Sequence, residues 1–221
     1  VLSDNRVDTG RGDNRIAQRI AVLAEASAPQ VALEALIVLR RLHWSQAPGW
    51  ISERLVDSDP ALDHAATQAL RHAWAWPAVL DLLDGPPRFR KLAMHAVAEQ
   101  RVGYLATQVI ERIETSDNPQ HRREYADLLA RIVRKEKPWT YWGFRPDPRP
   151  AASIDWKKTP EIVTALNNSL ADRDFDVRSF VLYRMRREGV KPTLENLTTW
   201  LREETNGPRV TEICEALKAE D

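Results

Sequence analysis

The feature that most restricts this chain is a recurring helix opener. Pro29, Pro60, Pro87, Pro119 and Pro208 each stand at the start of a helical pattern, and Phe175 takes the same role. Proline fits the first helical position because its fixed φ suits the helix and its missing N–H leaves no bond unmade. Asp59, Asn118, Asp174 and Gly207 stand directly before four of these openers, and all are residue types favoured at helix N-caps. Pro29 and Pro87 lack such a neighbour, leaving Ser27 and Gly85 as weaker substitutes.

Counting forward from each opener exposes a stripe. Two residues on stand Val31, Leu62, Phe89, His121, Val177 and Val210. Six on stand Ala35, Ala66, Ala93, Tyr125, Val181 and Cys214, and ten on stand Leu39, Leu70, Val97, Leu129, Met185 and Lys218. Steps of four lie one helical turn apart, so these residues share a face. Lys218 breaks the pattern, as the last helix of an array can. The openers are spaced 31, 27, 32, 56 and 33 residues apart, the range of helical repeats except for one interval lengthened by an insertion. A first helix precedes each opener, at 14–25, 47–56, 76–84, 101–115, 159–171 and 193–204. Each A–B pair has apolar residues on two sides and must bury them on its neighbours.

The fold expected is therefore all-α: a right-handed α-solenoid of about six helix pairs in one continuous domain. Residues 1–13 form a tail, 14–135 hold pairs one to four, 136–158 an ordered insert rich in aromatics and proline, and 159–221 pairs five and six. Composition agrees. Arg outnumbers Lys 25 to 7, glycine occurs only 8 times, and strand-length alternation is absent. The start, Val1-Leu2-Ser3-Asp4, reads as an edge within a longer protein.

Asp57-Ser58-Asp59-Pro60-Ala61-Leu62-Asp63-His64-Ala65-Ala66 and Asp172-Arg173-Asp174-Phe175-Asp176-Val177-Arg178 resemble HEAT repeats of the short type. That resemblance implies an Arg on the B helix paired with an acidic residue near an intra-repeat turn. Arg90, Arg122 and Arg178 match the position, whereas Ala32, Asp63 and Thr211 depart from it, so an unbroken ladder is not expected. Tyr141-Trp142-Gly143-Phe144-Arg145-Pro146 and Asp155-Trp156-Lys157-Lys158-Thr159 resemble HEAT segments of large planctomycete proteins that also carry β-propeller dehydrogenase-like and cytochrome c domains. The resemblance implies a bacterial, periplasmic or secreted parent whose chemistry lies in other domains.

The insert supplies the binding candidates: Trp139, Tyr141, Trp142, Phe144, Arg145, Arg149 and Trp156. Planar aromatics with Arg suit a partner protein, a peptide or a sugar face. The same side chains could instead seal an apolar groove, leaving Arg145 and Arg149 at the edge. A second aromatic group, His43, Trp44, Trp50, His72, Trp74 and Trp76, falls near B-helix ends. Packing on the next repeat is the first expectation there, a recognition rim the second.

Catalytic and cofactor chemistry find little support. The single Cys excludes Cys-based metal frameworks and an internal disulfide, and Cys214 on the stripe reads as an inert core thiol. His64 and His72 are spaced poorly for chelation, and the scattered glycines make no phosphate loop. No cofactor or metal is expected. No apolar run is long enough to span a bilayer. Net charge is zero, although residues 121–158 carry ten Lys and Arg against five Asp and Glu. The function expected is a non-catalytic interaction or scaffold module that contacts a protein partner or other domains of the parent chain. The alternative is a HEAT-like DNA glycosylase or other nucleic-acid-binding protein, which the neutral overall charge disfavours.

Overall fold

The structure is a computed structural model, and it describes residues 14–25, 28–55, 59–136 and 153–218. The chain divides into two compact units, residues 1–99 and 100–221, with the boundary between pairs three and four. Among the described residues it is all-α apart from one small sheet.

The first unit holds α1 (Asn14–Glu25), α2 (Pro29–Arg41), α3 (Ala47–Arg54), α4 (Pro60–His72), α5 (Trp76–Asp81), a 3-10 turn at Leu82–Asp84, and α6 (Pro87–Ala98). The B helices α2, α4 and α6 pack in sequence order, α2 on α4 and α4 on α6, while α1 lies on α2 and α3 on α4. Asp59 caps α4, its carboxylate accepting from the N–H groups of Ala61 (2.8 Å) and Leu62 (3.1 Å). Where the cap residue is Ala28 or Pro86, no side-chain cap bond forms.

The second unit holds α7 (Gly103–Thr115), α8 (Pro119–Ile132), the strands β1 (Arg134–Glu136) and β2 (Ser153–Asp155), α9 (Thr159–Ser169), α10 (Phe175–Arg187), α11 (Leu194–Glu203) and α12 (Gly207–Lys218). Asn118 and Asp174 cap α8 and α10 through their side chains. The strands pair antiparallel, Arg134 with Asp155 and Glu136 with Ser153. No strand was expected from the sequence. Three-residue strands are too short to show alternation.

The stripe is the core. Ala35, Ala66, Ala93, Tyr125 and Val181 are buried, as are Leu39, Leu70, Val97, Leu129 and Met185. At the first stripe position only Leu62 and Val177 are buried. Val31 is 44% exposed, because α2 turns Ala35, Leu36 and Leu39 inward. Cys214 corrects the expectation of a core thiol, for it is only half-buried. Helix α12 turns Ile213 and Ala216 inward instead, which leaves Cys214 at the margin of the buried face.

The matched arginines tie the repeats. Arg122, buried on α8, reaches the α9–α10 turn: its Nε donates to Asp172 Oδ2 (2.7 Å) and its Nη2 to Asp172 Oδ1 (2.8 Å). Its Nη1 donates to the carbonyls of Ser116 and Asp117 in its own turn. Arg178 repeats the arrangement, with the Asp172 carbonyl behind it and Glu203 Oε2 (2.9 Å) ahead. Arg90 donates to the Gly85 carbonyl in its own turn. Asp63 stands where these arginines stand, and there the polarity is exchanged: Arg88 of the next pair donates to Asp63 Oδ1 (2.8 Å) and to the Leu55 carbonyl (2.7 Å).

Candidate functional site

Residues 137–152 lie outside the described residues, and with them Trp139, Tyr141, Trp142, Phe144, Arg145 and Arg149. The structure does describe both ends of this segment. An α-helix ends with carbonyls that have no partner inside it. At the end of α8 the returning end of the insert takes up two of them. Trp156 Nε1–H donates to the Ile132 carbonyl (2.8 Å), and Thr159 Oγ1–H donates to the Val133 carbonyl (2.6 Å). Thr159 Oγ1 also accepts from the Trp156 backbone N–H (2.9 Å), so this buried hydroxyl is satisfied in both roles. Arg101 takes the Arg134 carbonyl (2.8 Å) and the Arg131 carbonyl (3.3 Å).

The outgoing strand ties to the next pair. Arg134 donates from Nη1 to the Glu188 carbonyl and from Nη2 to the Gly189 carbonyl, each at 3.2 Å. Its Nε faces Asp155 Oδ1 at 3.3 Å. A cation at the C-terminus of α10 also meets the negative end of the helix dipole. The base of the insert is thereby joined to the C-terminal ends of both α8 and α10. Trp156, the one candidate in view, is half-buried and anchors this base.

Sequence reasoning missed a feature shared by three B-helix ends. His43, Trp74 and Gly189 each lie fourteen residues after their openers, and all have positive φ: +50°, +54° and +63°. At α2 and α10 the bonding is that of a glycine-type helix stop. The N–H groups of His43 and Trp44 go to the Arg40 and Leu39 carbonyls, and those of Gly189 and Val190 go to Arg186 and Met185. Glycine adopts this conformation freely, whereas an L side chain pays about 1–2 kcal/mol. The signal was the common offset, hidden because only one of the three is glycine.

These two strained residues meet. The rings of His43 and Trp74 stack with centroids 4.3 Å apart and planes 18° from parallel. His43 Nδ1 lies 2.8 Å from the His72 carbonyl. A carbonyl only accepts, so this nitrogen carries the proton. Trp74 is 57% exposed. Burial and the nearby Arg40, His43 and Arg71 hold the His72 imidazole below its ordinary pKa. Of the other aromatics in this group, Trp44 and Trp50 are buried, as packing on the repeats requires. They line a cavity of about 300 Å³ with Gln18, Glu25 and Arg54.

Among the described residues, the cavities at these helix ends bring together no catalytic set. The larger, about 360 Å³, flanks the Arg122–Asp172 pair and is lined by Glu114, Asp117, Asn168 and Arg173. Asp117 there is fully exposed, and its hydrogen bond from Arg173 lowers its pKa. Among the described residues no cluster of His, Cys, Asp and Glu is arranged to hold a metal ion. Among the same residues no helix is long and apolar enough to cross a membrane.

No protein-family model and no curated protein matches the chain. Among solved structures it is similar to the crystal structure of an engineered protein, at 15% identity over 91% of this chain and 95% of that one, with a TM-score of 0.37. A likeness at that level carries no argument about function.

Proposed function

We propose that this chain is a non-catalytic, HEAT-like interaction module of a larger bacterial protein, and that residues 137–152 are its principal contact segment. The observation that supports this most is the double anchorage of the insert. Its return end caps α8 through Trp156 and Thr159, and its outgoing strand reaches the end of α10 through Arg134. Fixing both ends of a contact segment lowers the entropy cost of binding, which favours affinity. Its sequence concentrates the residue types that dominate protein interfaces: Trp139, Tyr141, Trp142, Phe144, Arg145 and Arg149. The partner is a protein or another domain of the parent chain.

The test is replacement of 137–152 by a short Gly-Ser linker, keeping both strands. The altered chain should retain its helical circular dichroism and lose a partner that the intact chain captures. Capture unchanged by the replacement would count against the reading. The excess of basic residues over 121–158 favours a second reading, a nucleic-acid surface. Strong, salt-sensitive retention on heparin that disappears with the replacement would support it instead.

A further inference from the structure

We propose that the stacked His43–Trp74 step, with Arg40 and Arg41 in the last turn of the helix that leads into it, docks an acidic segment of a protein partner. The inference rests on the interaction-module reading and adds to it a second contact and the chemistry of its occupant. Three B helices end in a residue of positive φ at the same repeat position, and Gly189 shows which residue meets that need without strain. The first unit has His43 and Trp74 instead. Their stack occupies one face of the indole, yet Trp74 remains 57% exposed. Strain retained to hold a large apolar ring in water is characteristic of a binding position rather than of packing.

Charge selects the occupant. Arg40 and Arg41 form the exposed last turn of α2, which leads directly into His43. Arg71, one repeat later, is engaged with Glu99 and the His95 carbonyl. Three arginines against one carboxylate leave this end of the two helices positive. A peptide with carboxylates for Arg40 and Arg41 and a bulky apolar side chain for the open indole face satisfies both features. Single-stranded nucleic acid fits less well. It uses a succession of stacking rings along a basic groove, whereas this step offers one open face.

The test uses the full chain and a random peptide library displayed on phage. Affinities of the selected peptides are measured by fluorescence anisotropy. Selected peptides should be acidic and carry a large apolar residue. Trp74→Gly and Arg40→Glu should each weaken them about tenfold or more, as loss of an interface anchor does. Trp74→Gly also relieves the backbone, so its Tm should equal or exceed that of the parent. Selected peptides without acidic excess, or binding unchanged in Trp74→Gly, would overturn the inference. So would a lowered Tm in Trp74→Gly, which would make the ring part of the packing. Trp74-dependent binding of an oligothymidylate in preference to the peptides would overturn it in favour of nucleic acid. Peptides lost only on replacement of 137–152 would overturn this inference and leave the module reading intact. No selected peptide from the full chain would overturn the inference, and no captured partner in the replacement experiment would remove the module reading separately.

Discussion

Asp172→Ala isolates the contact that joins pairs four and five. Arg122 is 5% exposed and Asp172 8%, so the bidentate pair is largely withdrawn from water, with the cavity on one flank. The substitution removes both bonds to Arg122 and leaves its guanidinium buried with the Ser116 and Asp117 carbonyls alone. It also frees the Asp174 N–H, which Asp172 Oδ1 holds at 2.8 Å. Removing one partner of a buried pair costs about 3–5 kcal/mol. The two remaining carbonyls place this case near the lower end, about 3 kcal/mol. Against a domain stability of roughly 5–15 kcal/mol this is a large fraction, visible as a shift of about 10 °C in Tm. Urea unfolding of the full chain, followed by circular dichroism, measures it. Adding Arg122→Met should recover part of the loss, because it removes the unpaired charge as well. A cost below about 1 kcal/mol, the value of an exposed ion pair, would refute the reasoning.

Ala66→Arg and Ala93→Arg each place a charge where the native side chain is 0% exposed, and each should abolish cooperative unfolding or lower Tm by well over 10 °C, a burial cost of several kcal/mol. A melt within a few degrees of the parent would show the repeat register to be wrong. Gly189→Ala should cost about 1 kcal/mol through its φ of +63°, as measured by urea midpoint, and a neutral result would remove the αL argument at this end. The His72 pKa is lowered in the folded chain, so below its ordinary value the unfolded chain binds the extra proton. Its contribution to stability is therefore present above pH about 6.5 and declines as pH falls from there towards the folded pKa. His72→Gln should flatten that part of a stability-versus-pH curve, and an unchanged slope would show that His72 does not contribute to it.

The starts of the helices were legible because their causes are local. Asp59, Asn118 and Asp174 each meet N–H groups two or three residues away, and a sequence shows such neighbours directly. Helix ends were less legible. The end of α8 is closed by Trp156 and Thr159, more than twenty residues later, and no local pattern announces that. At α2 and α4 the positive φ falls on His43 and Trp74, residue types that do not advertise it. Cys214 was misjudged because the stripe puts the residue six after each opener in the core, whereas α12 turns Ile213 and Ala216 inward and leaves Cys214 half-buried. The strands that flank 137–152 were not legible, since Arg134–Glu136 and Ser153–Asp155 carry no alternation.

Hydrogen exchange of the full chain, alone and with a partner captured through it, tests most directly where this protein makes its contacts. Protection should concentrate in peptides covering 134–156, with a separate gain over 40–44 and 73–76 if the partner also carries the acidic segment. Unchanged exchange across 134–156, with protection instead along the helices of the repeats, would contradict the assignment of the insert as the contact segment.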